Sequence, residues 1–200
     1  MNFEKKYNMD SKYSQEELDI LYKPRTGDEM RKATLNKAPI YKYSELCDEA
    51  SKVGIRKMLA NMFSRGNQAI VLLQDPKNPN SGHWFGINRI PRKREIYFFS
   101  TYGGKPDIEK IDWMSEDELV KSGQILHIFQ KGLRDLQQRG WEIHYNDHPY
   151  QYEGDDTAFC GIMTAAFLRS GQNPDEFFKV NDKMRKRGIN SIIYYFKRYF

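Results

Sequence analysis

Residues 68–103 read QAIVLLQDPKNPNSGHWFGINRIPRKREIYFFSTYG, and this stretch decides the fold class. Its first segment, 68–74, is too apolar to be anything but a buried strand. A turn-rich loop follows at 75–82, carrying two prolines, four polar turn formers (Asp75, Asn78, Asn80 and Ser81) and Gly82. Beyond it, 83–90 and 95–100 read as two strands joined by the basic turn Pro91-Arg92-Lys93-Arg94. Gly103, Gly104 and Pro106 end that hairpin.

Working outward, 44–63 has an apolar stripe of Leu46, Ala50, Val53, Ile55, Met58, Leu59 and Met62, which predicts a helix. A short helix is predicted over 14–22, where Ser14 followed by Glu17 fits a capping box. Downstream, a helix is predicted over 115–139, then a strand over 141–145 (WEIHY). A polar loop at 146–157 leads into a small-residue helix over 161–169, broken by Gln172-Asn173-Pro174. Helix, buried strands, helix, strand and a Cys-bearing helix together predict an α+β domain: a central mixed sheet flanked by helices, with Cys160 at a helix N-terminus.

The chain has 200 residues, enough for one domain with its own core. The polar first 40 residues read as an N-terminal extension or arm, and 183–200 as a basic, aromatic C-terminal segment. Charged residues make up 30% and mean hydropathy is -0.81, the balance of a soluble protein. No apolar run approaches the ~18 residues of a membrane span, and residues 1–10 lack the apolar stretch of a secretory signal. With two cysteines, Cys47 and Cys160, no disulfide framework exists and a reducing compartment is expected, although a single Cys47–Cys160 bridge is the plain alternative. The histidines and cysteines lack metal-ligand spacing. A net charge of +5 allows polyanion contact, through the Pro91–Arg94 turn or the tail.

Cys160 lies where a polar loop meets a helix. The positive end of the helix dipole and its unpaired N–H groups favour thiolate there, and Gly161, without a Cβ, would let a substrate backbone approach. The plain alternative is a buried cysteine acting as a small hydrophobe. A thiol nucleophile needs a base. His127 falls inside the predicted helix, His144 and His148 lie upstream of the Cys160 loop and are not excluded by spacing, and His83 opens a strand after a loop, a good mount for a catalytic imidazole.

Gly82-His83-Trp84, Phe98-Phe99-Ser100-Thr101-Tyr102-Gly103, Tyr150-Gln151 and Thr157-Ala158-Phe159-Cys160-Gly161 occur in an order that resembles the adenovirus maturation protease and its relatives in virophages and large DNA viruses. The SUMO-specific proteases are more distant members of the same papain-like clan. The resemblance covers about 68–178. It implies a cysteine protease of the adenain type with Cys160 as nucleophile and His83 as base. Trp84 would pack on the imidazole, and Gln151 would donate to the oxyanion hole beside the Cys160 N–H.

The sequence departs from that pattern twice. Ser100 stands where the family has an acidic or amide orienter of the histidine; Asp107 from the following loop is another candidate for that role. The gap between Gln151 and Cys160 is longer than the family's, and an alignment without the longer loop puts Glu153, an acceptor when ionised, at the donor position. The resemblance further implies a monomer that cleaves viral capsid or core precursors, often after Gly-Gly-type sites, in the virion and the viral factory of the host cytoplasm. An activating peptide or DNA could engage the basic tail, and no other cofactor is implied. Two alternatives stay open: a deubiquitinase or SUMO-protease-like peptidase, and a catalytically silent basic binding protein with the same fold.

Overall fold

The computed structural model describes residues 13–151, 158–185 and 190–200. Five strands form one sheet in the order of the chain: β1 (Ile40–Lys42), β2 (Gln68–Asp75), β3 (Asn78–Ile90), β4 (Glu95–Ser100) and β5 (Glu142–Tyr145). β2, β3 and β4 are antiparallel neighbours, while β1 and β5 add in parallel at the two edges, which makes the sheet mixed. The helices begin with α1 (Gln15–Tyr22), α2 (Gly27–Ala33), α3 (Tyr43–Val53) and α4 (Ile55–Met62). They continue with α5 (Glu109–Trp113), α6 (Glu116–Lys121), α7 (Ile128–Gln138), α8 (Cys160–Ser170), α9 (Pro174–Arg185) and α10 (Asn190–Tyr199).

Strand alternation divides the core. Successive side chains of a strand point to opposite faces. Ile70, Leu72, Trp84, Tyr97 and Phe99 therefore meet α1, α2, α8 and α10 on one face. Ala69, Val71, Leu73, Phe85, Ile87, Ile96 and Phe98 meet α3, α4 and α7 on the other. A sheet covered on both sides explains why 68–74 reads as an unbroken apolar run. Phe99 locks the first layer together, stacking on Phe167 of α8 at 4.8 Å and meeting Phe177 of α9 edge-on at 5.3 Å. Full burial of each such ring contributes about 1.5–3 kcal/mol.

The expected α+β arrangement is the one observed, with differences at element ends. The predicted 44–63 helix is two helices, because Gly54 at φ 85 ends α3 and starts α4. The predicted 115–139 helix is also two, α6 and α7, separated around Gly123 (φ 70), and His127 lies just ahead of α7 rather than within a helix. The reading of 75–82 as a loop gives way to β3 starting at Asn78, paired with Asp75 of β2. The capping box at Ser14 and Glu17 is present at α1. From Tyr13 onward the polar N-terminal segment carries Ile20, Leu21, Met30 and Ala33 into the core. In the C-terminal segment α10 buries Ile192, Ile193 and Tyr195, and Arg198 lies over the rings of Tyr194 and Tyr199.

Candidate active site

α8 crosses β3, and that crossing assembles the site. One turn past Cys160, the Thr164 hydroxyl donates to the Trp84 carbonyl at 3.1 Å, which fixes the start of α8 beside His83 and Trp84. Gly161 permits the close fit: a Cβ there would stand 3.0 Å from Arg25 Cβ and Met30 Sδ. Gly161 therefore makes room for α2 and the chain before it, not for a substrate backbone as its sequence position suggested.

Cys160, His83 and Gln151 line one cleft of about 150 Å³, together with Arg25, Tyr102 and Trp113. Gln151 is held by its backbone N–H on the Thr101 carbonyl at 2.9 Å. The Thr101 hydroxyl donates to Gln151 Oε1 at 3.0 Å, which anchors the carbonyl end of the amide. Glu153, the other candidate donor position, lies outside the described residues. The ring beside His83 is Tyr102, with centroids 4.5 Å apart, whereas Trp84 is tied by its indole N–H to the Arg25 carbonyl at 3.1 Å. Trp84, the ring expected to pack on the imidazole, lines the same cleft, and Tyr102 supplies a ring against His83.

His83 is buried on β3, and its Nε2 lies 2.9 Å from Ser100 Oγ at the end of β4. The Ser100 hydroxyl also accepts from the Tyr102 backbone N–H at 3.3 Å and donates to the carboxylate of Glu109, at the start of α5. Glu109 Oε2 itself stands 3.7 Å from His83 Nε2. A buried carboxylate thus stands behind Ser100 on the side of the imidazole. Asn146 braces this corner by accepting from the Ser100 N–H at 3.2 Å and donating to its carbonyl at 2.8 Å.

Asp107 does not reach the imidazole. Its carboxylate accepts from the Tyr43 hydroxyl at 2.7 Å and from the Gln130 N–H in the first turn of α7 at 2.8 Å, a structural tie between two helices. Each buried hydrogen bond to a charged group contributes about 1.5–3 kcal/mol. Asp107→Ala is accordingly expected to lower stability by about 3 kcal/mol. Labelling of Cys160 at pH 8 in the folded variant should stay within about twofold of wild type. Urea melts and timed labelling check both parts, and a collapse of labelling without loss of stability would return Asp107 to the site.

Burial dominates the electrostatics. It pushes the Cys160 thiol up to about 11, against the lowering pull of the backbone N–H groups of Trp84, Gly161 and Cys160 itself. Burial likewise pushes His83 down to about 3. Burial thus works against the thiolate that the helix N-terminus favours, because desolvation of a buried charge opposes the dipole's attraction. Burial favours the neutral form of both groups that face this cleft.

The other sulfur and imidazoles lie elsewhere. Cys47 and Cys160 are both free and sit in core layers on opposite faces of the sheet, which removes the alternative of a bridge. His148 packs on Phe178 at 4.8 Å and His144 meets Tyr97 edge-on at 5.6 Å, away from the cleft. Parallel pairing of β4 with β5 brings Glu95, Glu142 and His144 together with ligand atoms within 4.8 Å of one another. Spacing along the chain gave no sign of that group, which only the strand register creates.

No family model and no curated protein matches the chain. Solved structures that resemble it include the SUMO protease Ulp1 with its catalytic cysteine oxidised to a sulfonic acid, at 15% identity, covering 72% of this chain and 62% of that one, with a TM-score of 0.37. Another is the C-terminal Ulp1 protease domain in complex with Smt3, the yeast ortholog of SUMO, at 17% identity, with coverages of 71% and 61% and a TM-score of 0.36. The central domain of the uncharacterized Lpg1148 protein from Legionella pneumophila resembles it at 14% identity, with coverages of 85% and 98% and a TM-score of 0.35. The chain thus spans about three fifths of the length of the two Ulp1 structures.

Proposed function

We propose that this chain is a cysteine peptidase. The observation that carries the reading is the convergence of Cys160, His83 and Gln151 on one cleft, with His83 tied through Ser100 to a buried carboxylate. With burial favouring the neutral thiol and imidazole, the thiol proton passes to His83 as Cys160 Sγ attacks the substrate carbonyl. Attack forms the S–C bond and moves the carbonyl π electrons onto oxygen. The Cys160 N–H and the Gln151 amide donate to that oxyanion, each aimed donor contributing about 3 kcal/mol. The imidazolium then protonates the leaving amine as the C–N bond breaks, which leaves a thioester on Cys160. Water attacks the thioester with His83 again accepting the proton, and as the C–S bond breaks the imidazolium returns that proton to Sγ, releasing the acid and restoring the thiol.

The substrate reading rests on the resemblance of the four sequence blocks to the viral maturation proteases: precursor chains cut after Gly-Gly-type sites during virion assembly, with a peptide or DNA as activator. The experiment is mass spectrometry after limiting treatment with a peptide electrophile ending in Gly-Gly, with and without duplex DNA. Cys160 should be modified and Cys47, whose thiol burial also pushes up to about 11, should not. A panel of Gly-Gly precursor peptides and of ubiquitin- and SUMO-fusion substrates then separates the viral reading from the ubiquitin-like one. Equal, slow labelling of both cysteines in every condition would leave a silent binding protein.

A further inference from the structure

The chain His83–Ser100–Glu109 has a direction, and the direction decides whether His83 is a base. A hydroxyl carries one proton. Ser100 Oγ already accepts from the Tyr102 N–H, so its own proton goes either to Glu109 or to His83. When Glu109 is ionised it can only accept. Ser100 then donates to Glu109, His83 must donate Nε2–H to Oγ, and Nδ1 is left unprotonated to receive the thiol proton. When Glu109 is protonated the chain can run backwards. Glu109 donates to Oγ, Ser100 donates to Nε2, and the imidazole proton moves to Nδ1, where it blocks the base.

We propose that Glu109 is a positioning residue that sets the tautomer of His83 through the Ser100 hydroxyl, so that its ionisation switches the general base on and its protonation switches it off. This rests on the peptidase reading of Cys160 and His83, but its central claim concerns the tautomer alone. The environment places the switch near neutrality: burial raises the Glu109 carboxyl to about 7, the Ser100 hydrogen bond lowers it, and Asp107 raises it further. Among the described residues, the titratable groups facing Glu109 are Asp107 from its own segment, His83 from β3 and Cys160 from α8. The neighbouring Lys110 turns its ammonium away, onto the carbonyls of Gln124 at 2.8 Å and Leu126 at 2.6 Å. Since His83 is held at about 3 and Cys160 at about 11, neither site partner titrates in the window that Glu109 occupies.

The test reads the ring ¹⁵N shifts of His83 by NMR between pH 5.5 and 8.5, together with kcat/KM on the panel substrate over the same range. In wild type the proton should move from Nδ1 to Nε2 with a midpoint near 7, and activity should fall about tenfold per pH unit below it. In Glu109→Gln, which cannot titrate, both transitions should vanish. Ser100→Ala should uncouple the tautomer from pH while Glu109 remains, a result that a merely structural carboxylate would not give. A tautomer that stays fixed across the range in wild type, or that still switches in Glu109→Gln, overturns the proposal. The NMR arm decides this even if no panel peptide is cleaved, so failure of the switch and failure of the peptidase reading are separate results.

Discussion

Replacing Cys160 with alanine is expected to lower kcat/KM by at least about 10⁴-fold, leaving only what aimed donors and binding supply. The sulfur supplies both the new bond and the proton that His83 takes, so nothing else in the cleft inherits the step. Cys47 cannot substitute, since it lies in the opposite core layer with its thiol directed at the Leu126 carbonyl. Cys160→Ser should fare no better within about tenfold, because a buried hydroxyl is harder to deprotonate than a buried thiol. The fold should survive. The residue is already packed as a small hydrophobe at 7% exposure, and losing the sulfur costs about 1 kcal/mol, a fall in Tm of roughly 2–4 °C. Initial rates and thermal melts on the same preparation check both halves. A variant that keeps activity within about tenfold of wild type moves the nucleophile elsewhere.

Cys160 was legible as a candidate because it opens a helix after a polar loop, and His83 because it follows a turn-rich stretch, whereas Ser100 and Gln151 came only from the resemblance of their sequence blocks. Glu109 was legible from neither. Residues 101–111 offer two acids, Asp107 and Glu109, and nothing local says which turns toward His83. The choice is tertiary: the Tyr43 hydroxyl and the Gln130 N–H claim Asp107, and the carboxylate on α5 is the one left to meet Ser100. The burial that opposes a Cys160 thiolate was hidden for a related reason. A helix N-terminus is visible in sequence, whereas the depth at which Arg25, Met30 and β3 enclose it is not. The same holds for the edge strand β1, which is three residues long and owes its place to pairing with β2 rather than to any period of its own.

His83→Ala is expected to lower kcat/KM by about 10⁴-fold as well, and the Cys160→Ala/His83→Ala double variant should be no worse than either single one, because the two act as a unit. His144→Ala and His148→Ala should leave the rate unchanged. The more discriminating outcome is in stability. His83 titrates at about 3 in the folded protein against an ordinary value of 6.5. Between those values the unfolded chain binds a proton that the folded chain refuses, so His83 costs the fold stability as pH drops through that window. Glu109 acts in the opposite sense. Its folded value of about 7 lies above the ordinary 4.5, so the folded state binds the proton first and gains stability on acidification between them. The two offset each other from about 6.5 to 4.5, and below 4.5 only the loss due to His83 continues. At pH 8 the variant should be the weaker protein, since it leaves a cavity on β3 and takes a partner from Ser100. On going to pH 4 that deficit should shrink or reverse, because the group that resists protonation is gone. Urea midpoints at the two pH values measure the change. A deficit that grows in acid would mean that His83 is an imidazolium in the folded state, already paired with a Cys160 thiolate, and the proton would then move before substrate arrives rather than during attack.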